Sequence, residues 1–229
     1  MNLPLNSGTF IPIEGVHPRV HSKKLDKKLG FKISKIERKL SQIYRPYNLI
    51  EDPTNKKKHY KGGQAWIGLH PQALQTTYND IFAAFDYLSK EDISRVVDIG
   101  AGYGRVGLVL SSFFPNAQFL GIELVAQRVH EGNRIFKKFN LTNCEIINQN
   151  VVEEVQKIPD ADMYFIYDFS VKSDIDIVLE TVLEKRSDIF YLVAHGDRVE
   201  NLMSKKYRDY WHHCEKVYNT NLRIYKFNR

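Results

Sequence analysis

Apolar residues change their spacing along this chain near residue 90. From Ser22 to Tyr44, Leu25, Leu29, Ile33, Ile36, Leu40 and Ile43 recur every three or four positions with lysines between them, the stripe of an amphipathic helix. Gly30 lies inside the stripe and can break it into two helices. Leu74, Tyr78, Ile81, Phe82, Phe85 and Leu88 predict a further helix over 74–88. Beyond it short apolar runs alternate with helical ones. Strands are predicted at 95–100, 117–123, 144–149, 162–168 and 188–194, and helices at 103–114, 125–139, 173–186 and 199–209. This alternation predicts an α/β fold, a mostly parallel sheet with helices on both faces. The last two alternating runs, His213–Tyr218 and Leu222–Phe227, flank Asn219, Thr220 and Asn221 and read as a C-terminal antiparallel hairpin. That gives seven strands.

The earlier part is less regular. Phe10 to Pro18 is too irregular for a regular element and reads as an arm, and Asn55 to Gly63 is a lysine-rich segment full of structure breakers. The natural division is a basic, helical N-terminal extension over 1–62 and an α/β domain over 63–229.

Charge follows the same division. Residues 1–90 hold 15 Lys and Arg against 7 acids, whereas residues 91–229 hold 18 against 20, so the net charge of +6 belongs to the first part. A basic extension points to an acidic partner or to a solvated face. No apolar run approaches the roughly 18–20 residues that span a bilayer, and the start lacks a signal-peptide pattern, so a cytoplasmic protein without membrane contact is expected. Cys144 and Cys214 are far apart, and no H-x-x-x-H spacing is accompanied by an acid, so no metal is expected.

Candidate chemistry centres on Val96-Val97-Asp98-Ile99-Gly100-Ala101-Gly102-Tyr103-Gly104, an apolar strand that runs into alternating glycines ahead of a helix. Unsatisfied N–H groups converge at such a helix start, and glycines let a ligand approach the main chain closely. Two cofactor classes use such a turn. Gly102, Gly104 and Gly107 match the spacing of a dinucleotide-binding loop, with Glu123 about 20 residues on as its ribose acid. Asp98 followed by Gly100, Gly102 and Gly104 instead resembles motif I of the class I, seven-strand S-adenosylmethionine-dependent methyltransferases. The closing antiparallel hairpin fits that family and not a dehydrogenase.

The resemblance implies a Rossmann-like fold, S-adenosyl-L-methionine as cofactor, and a role for each acid. Asp98 would hold the ammonium side of the cofactor above Gly100, Ala101, Gly102 and Gly104, Glu123 would accept both ribose hydroxyls, and Asn150 would bond the adenine amino edge or else cap the turn after it. Tyr167-Asp168-Phe169, ending the fourth strand, is similar to the Asn-Asn-Phe stretch of the non-SET lysine methyltransferases, with Asp in place of the second Asn. Those three are the candidate catalytic residues, and Asp168 could position or deprotonate an amine. Gln64, Trp66 and His70 are candidates to close over the cofactor, Thr76 or Thr77 to contact it, and His195 to face the ligand from the fifth strand. The acceptor this favours is a protein lysine. RNA or a small metabolite, contacted by the basic extension, is the alternative, and a cofactor-binding protein without catalysis a further one.

Overall fold

In the computed structural model, residues 5–44, 49–51, 58–60, 66–68, 70–73, 75–185 and 189–228 are described. Seven strands form one sheet: β3 (Arg95–Ile99), β4 (Gln118–Glu123), β5 (Cys144–Asn148), β6 (Met163–Tyr167), β7 (Phe190–His195), β8 (His213–Lys216) and β9 (Leu222–Phe227). Their spatial order is β5-β4-β3-β6-β7-β9-β8. β5 to β7 run parallel, and β9 enters antiparallel between β7 and β8, with Leu192 opposite Tyr225 and Cys214 opposite Tyr225 on the other side. The order reverses at β3, whose neighbours are β4 and β6. That is where an open α/β sheet opens a crevice beyond its carboxyl ends.

Two apolar layers hold the sheet. On one face Val96, Phe119, Ile146, Phe165 and Val193 pack under α1 (Pro18–Leu29), α3 (Tyr78–Tyr87), α4 (Arg105–Phe113) and α5 (Ala126–Lys138). On the other, Val97, Ile99, Ile122, Ile166 and Leu192 pack under α6 (Lys172–Lys185) and α7 (Asp197–Lys205). Period-two alternation along each strand is what separates these two sets.

The N-terminal stripe divides at Gly30, as its position allows. Gly30 adopts φ 89° as the left-handed cap of α1, and α2 (Ile33–Tyr44) follows. α1 begins four residues before the predicted Ser22, because Pro18 occupies its first turn and His17 caps it. The irregular arm ahead of it is packed: Phe10 is fully buried and stacks on Tyr78 with ring centroids 5.3 Å apart. β1 (Leu49–Glu51) pairs antiparallel with β2 (Lys58–Tyr60) of the lysine-rich segment, a ladder that charge and breakers gave no reason to expect. The helix predicted from 74 begins only at Tyr78, where Thr77 is the N-cap and accepts the Asp80 N–H. The helix predicted to reach 209 ends at Lys205, and a short 3-10 turn over Arg208–Tyr210 follows. Among the described residues, no helix is long and apolar enough to cross a membrane.

Candidate functional site

The glycine turn is fastened before it meets any ligand. The N–H groups of Gly100 and Ala101 both donate to Ile122 O, at 2.9 and 3.0 Å, tying the end of β3 to β4. Gly100 (φ 80°) could carry no side chain, since a Cβ there would stand 2.6 Å from that of Phe169. Gly102 (φ 56°) is not crowded, an added Cβ meeting only Gln75 Cγ, in ordinary contact at 3.8 Å. One glycine serves packing and the other leaves bare backbone toward a cavity.

Glu123 ends β4 beside this turn. Its Oε2 accepts the Gly102 N–H at 2.9 Å and its Oε1 the Val125 N–H at 2.8 Å. Burial pushes its pKa up, and the Arg128 guanidinium 3.8 Å away and those two N–H groups oppose the shift. Arg128 is itself clamped by Glu37 of α2, with Nε–Oε1 2.9 Å and Nη2–Oε2 3.2 Å, and Glu37 also accepts from Tyr103 Oη at 2.8 Å. Asp98 is 3% exposed, and burial first, then the neighbouring Glu123, holds its pKa well above the usual carboxylate range.

A second wall rises from the ends of β6 and β7. The Tyr167 ring lies on the His195 imidazole, centroids 4.2 Å apart and planes 13° apart. Tyr167 Oη donates to Ala73 O at 3.2 Å, and His195 Nδ1 meets Thr76 Oγ1 at 3.0 Å, so the 70s segment is stitched to both strands. Phe169 O accepts the Trp66 Nε1–H at 2.6 Å, which fastens Trp66 to the segment after β6. Asp168 is committed elsewhere. Its two oxygens accept the N–H groups of Arg198 (3.1 Å) and Val199 (3.0 Å), so it caps the start of α7, and its pKa is raised by burial in spite of those bonds.

These walls enclose a cavity of about 520 Å³, within the range of small-molecule sites. It is lined by Gly100, Gly102, Tyr103, Glu123 and Arg128 on one side and by Trp66, Tyr167, Asp168, Phe169 and His195 on the other. Gln75 lines it between the two. Arg19, Arg198, Lys216 and Arg223 stand around it, and Glu200 is matched by Arg223 at 2.8 Å. Of the expected residues, Asp98, Ala101 and Gly104 are not part of the lining, and Gly104 instead packs against Phe136, whose ring would stand 2.6 Å from an added Cβ. Asn150 is not part of it either: its Oδ1 accepts from Val152 N at 3.2 Å and Glu153 N at 3.4 Å, the turn-capping alternative. His70 turns back on its own loop, with Nδ1 accepting the Gln72 N–H, and Gln64 lies outside the described residues. No group of three His, Cys, Asp or Glu among the described residues is placed to hold a metal.

Sequence reading missed what supports the turn from below. Arg105, next after Gly104, is 3% exposed and bonds Asp26 of α1 through Nε (3.2 Å) and Nη2, Gln72 Oε1 (2.9 Å) and Thr76 O (3.1 Å). A lone arginine opening the apolar run Val106–Leu110 was the available signal.

His195 yields a pH prediction. Burial, with Arg19 adding to it, lowers its pKa from 6.5 to about 4. A folded-state value below the unfolded one means that the unfolded chain takes up the proton first as pH falls. Stability is therefore expected to decline from pH 6.5 toward 4 on this account, and His195→Gln to flatten that part of a melting-temperature profile. An unchanged slope between the two proteins would refute it.

The bare glycine backbone, the Glu123 carboxylate and a cavity of this size fit the cofactor that the resemblance to methyltransferases implies. Solved structures agree on the fold. The chain resembles precorrin-6y C5,15-methyltransferase from Geobacter metallireducens with a TM-score of 0.54 and 20% identity, over 68% of this chain and 90% of that one. It also resembles the SAH-bound Podospora anserina methyltransferase PaMTH1, with a TM-score of 0.58 and 9% identity over 87% and 97% of the two chains. In sequence it is 35% identical over 60 residues to the ribosomal RNA small subunit methyltransferase G of Syntrophomonas wolfei, a stretch covering 26% of this chain and 28% of that relative. The chain thus matches little more than a quarter of that relative's length. Residues 70–223, which include the glycine turn, most of both walls of the cavity, six whole strands and the start of β9, match the family model GidB, rRNA small subunit methyltransferase G, and the chain belongs to that family.

Proposed function

We propose that this chain transfers a methyl group from S-adenosylmethionine to ribosomal RNA. The family match over residues 70–223 carries the reading, and it favours RNA, the alternative acceptor of the sequence analysis, over a protein lysine. The cationic side chains around the cavity support it. Arg19 and Lys216 are exposed there, and such groups hold phosphates and fix a nucleic acid's register without reading its sequence.

When bound, the cofactor supplies an electrophilic methyl group on a cationic sulfur. The chain's own residues bind and orient. Each Glu123 oxygen keeps acceptor capacity beyond its backbone bond, enough to take the two ribose hydroxyls. Tyr167 and His195, stacked and hydrogen-bonded to the 70s segment, present a rigid aromatic wall against which a base can be placed. Asp168 acts as a positioning residue, fixing α7 and with it Arg198, whose guanidinium lies 5.4 Å from the centre of the Trp66 ring. Acceleration then comes from holding acceptor and methyl in line rather than from a free base.

The test uses tritiated cofactor and small ribosomal subunits, followed by parallel ribonuclease and protease digestion. Label released by ribonuclease and resistant to protease is the expected result. Label released only by protease would overturn the RNA acceptor and return the lysine reading.

A further inference from the structure

One side of α1 carries charge of a single sign. The exposed residues of this helix are Arg19, Val20, Lys23, Lys24, Lys27 and Lys28, so all but Val20 are cations. Its one acid, Asp26, is buried and bonded to Arg105, and so leaves that side unneutralised. Like charges one turn apart repel, and a helix that keeps them in a row presents a field that draws an anionic partner.

The row also has a direction. Arg19, Lys23 and Lys27 stand four positions apart, one above another along the helix at about 6 Å per step. Arg19 lines the cavity, so the row starts at its mouth. The other end of α1 is held by the later turns of α5, where Lys138 Nζ donates to Leu29 O at 2.9 Å and Arg134 Nη2 to Gly30 O at 2.6 Å. Ser22 Oγ accepts the Tyr78 N–H at 3.0 Å in between. The cations are thus carried on a fixed scaffold, which lowers the ordering cost of binding. Leu25 and Leu29, the apolar side of α1, are buried in the core, so the helix has no apolar face to offer a lipid surface. A polyanion that runs past the cavity mouth is the partner this face fits.

We infer that the exposed side of α1 is a docking surface for the phosphate backbone of the RNA that flanks the methylated nucleotide. It lies outside residues 70–223, which match the family, and it rests on the ribosomal RNA reading proposed above. The test titrates the full chain with small-subunit ribosomal RNA across a range of salt concentrations. Three variants accompany the wild type: Lys23→Gln with Lys27→Gln, Lys23→Arg with Lys27→Arg, and Lys90→Gln with Arg95→Gln. The last pair removes the same charge at the start of β3, the end of the sheet remote from the cavity.

The first pair is expected to weaken RNA binding by at least about fivefold at low salt, the weight of two exposed ion contacts. It is also expected to reduce the slope of log affinity against log salt by about one per lysine. The arginine pair keeps both values, because a phosphate contact needs the charge. S-adenosylhomocysteine affinity, measured by calorimetry, is expected to be unchanged in the first pair, since neither lysine lines the cavity. An unchanged salt slope in that pair, or an equal change from the Lys90 and Arg95 pair, overturns the inference and leaves the proposed function standing. So does binding to anionic phospholipid vesicles that the first pair loses while its RNA binding is intact. Failure of the wild-type chain to bind the RNA at all overturns both.

Discussion

Asp26→Ala is expected to remove about 3–5 kcal/mol of folding free energy, the cost of stranding a buried charge. Asp26 is 5% exposed and accepts from Arg105 through Nε and Nη2, from Gln72 Nε2 at 2.9 Å and from Tyr78 Oη at 3.2 Å. Without it the Arg105 guanidinium keeps only Gln72 Oε1, Thr76 O and the face of Tyr78, 4.9 Å from its ring centre, and no carboxylate. Urea unfolding at constant slope measures the effect. The surface pair of Lys157 and Glu154 supplies the contrast, since it is largely exposed and Glu154→Ala is expected to change stability by less than about 0.5 kcal/mol. Similar losses in the two variants would show that Asp26 is not holding a buried charge.

Glu123→Gln has the larger expected effect on binding. An amide must turn its NH2 group toward either Gly102 N–H or Val125 N–H, so donor meets donor where two acceptor oxygens stood. On the proposed reading it also weakens the bonds to both ribose hydroxyls. Two hydrogen bonds to a charged group, each worth about tenfold, give an expected loss in S-adenosylhomocysteine affinity of at least about 100-fold. Calorimetry alongside circular dichroism checks it. A loss under about fivefold in a folded variant would remove Glu123 from the ribose site.

What could be read from sequence was local. Asp98, the three alternating glycines and Glu123 announce themselves because a strand, a turn and a helix start lie within a few residues, and the structure brings the turn and Glu123 to one cavity. The hairpin at 213–227 was legible through its alternation and its Asn219 turn, where φ is 57°. Tyr167 and His195 were each named as site candidates at a strand end, but their stacking depends on β6 and β7 being neighbours. Asn150 carried two readings that sequence could not separate, since a polar residue after a strand suits a ligand and a cap equally, and in the structure its Oδ1 caps the turn that follows. Ala73 and Gln75 were hidden for another reason, and Thr76 was named only together with Thr77. Apolar spacing started the helix too early, and it is the irregular stretch before Thr77 that supplies Ala73 O, Gln75 and Thr76 to the site. Asp26 and Arg105 lie 79 positions apart, and nothing in the spacing of either could name the other.

That separation also sets an order of events during synthesis. At about 5–20 residues per second, a ribosome needs roughly 4–16 s after making Asp26 before Arg105 exists. Through that interval α1 is a lysine-rich segment whose single acid is destined for an arginine not yet polymerised. The bond that then forms ties an early helix of the chain to the residue that follows the glycine turn.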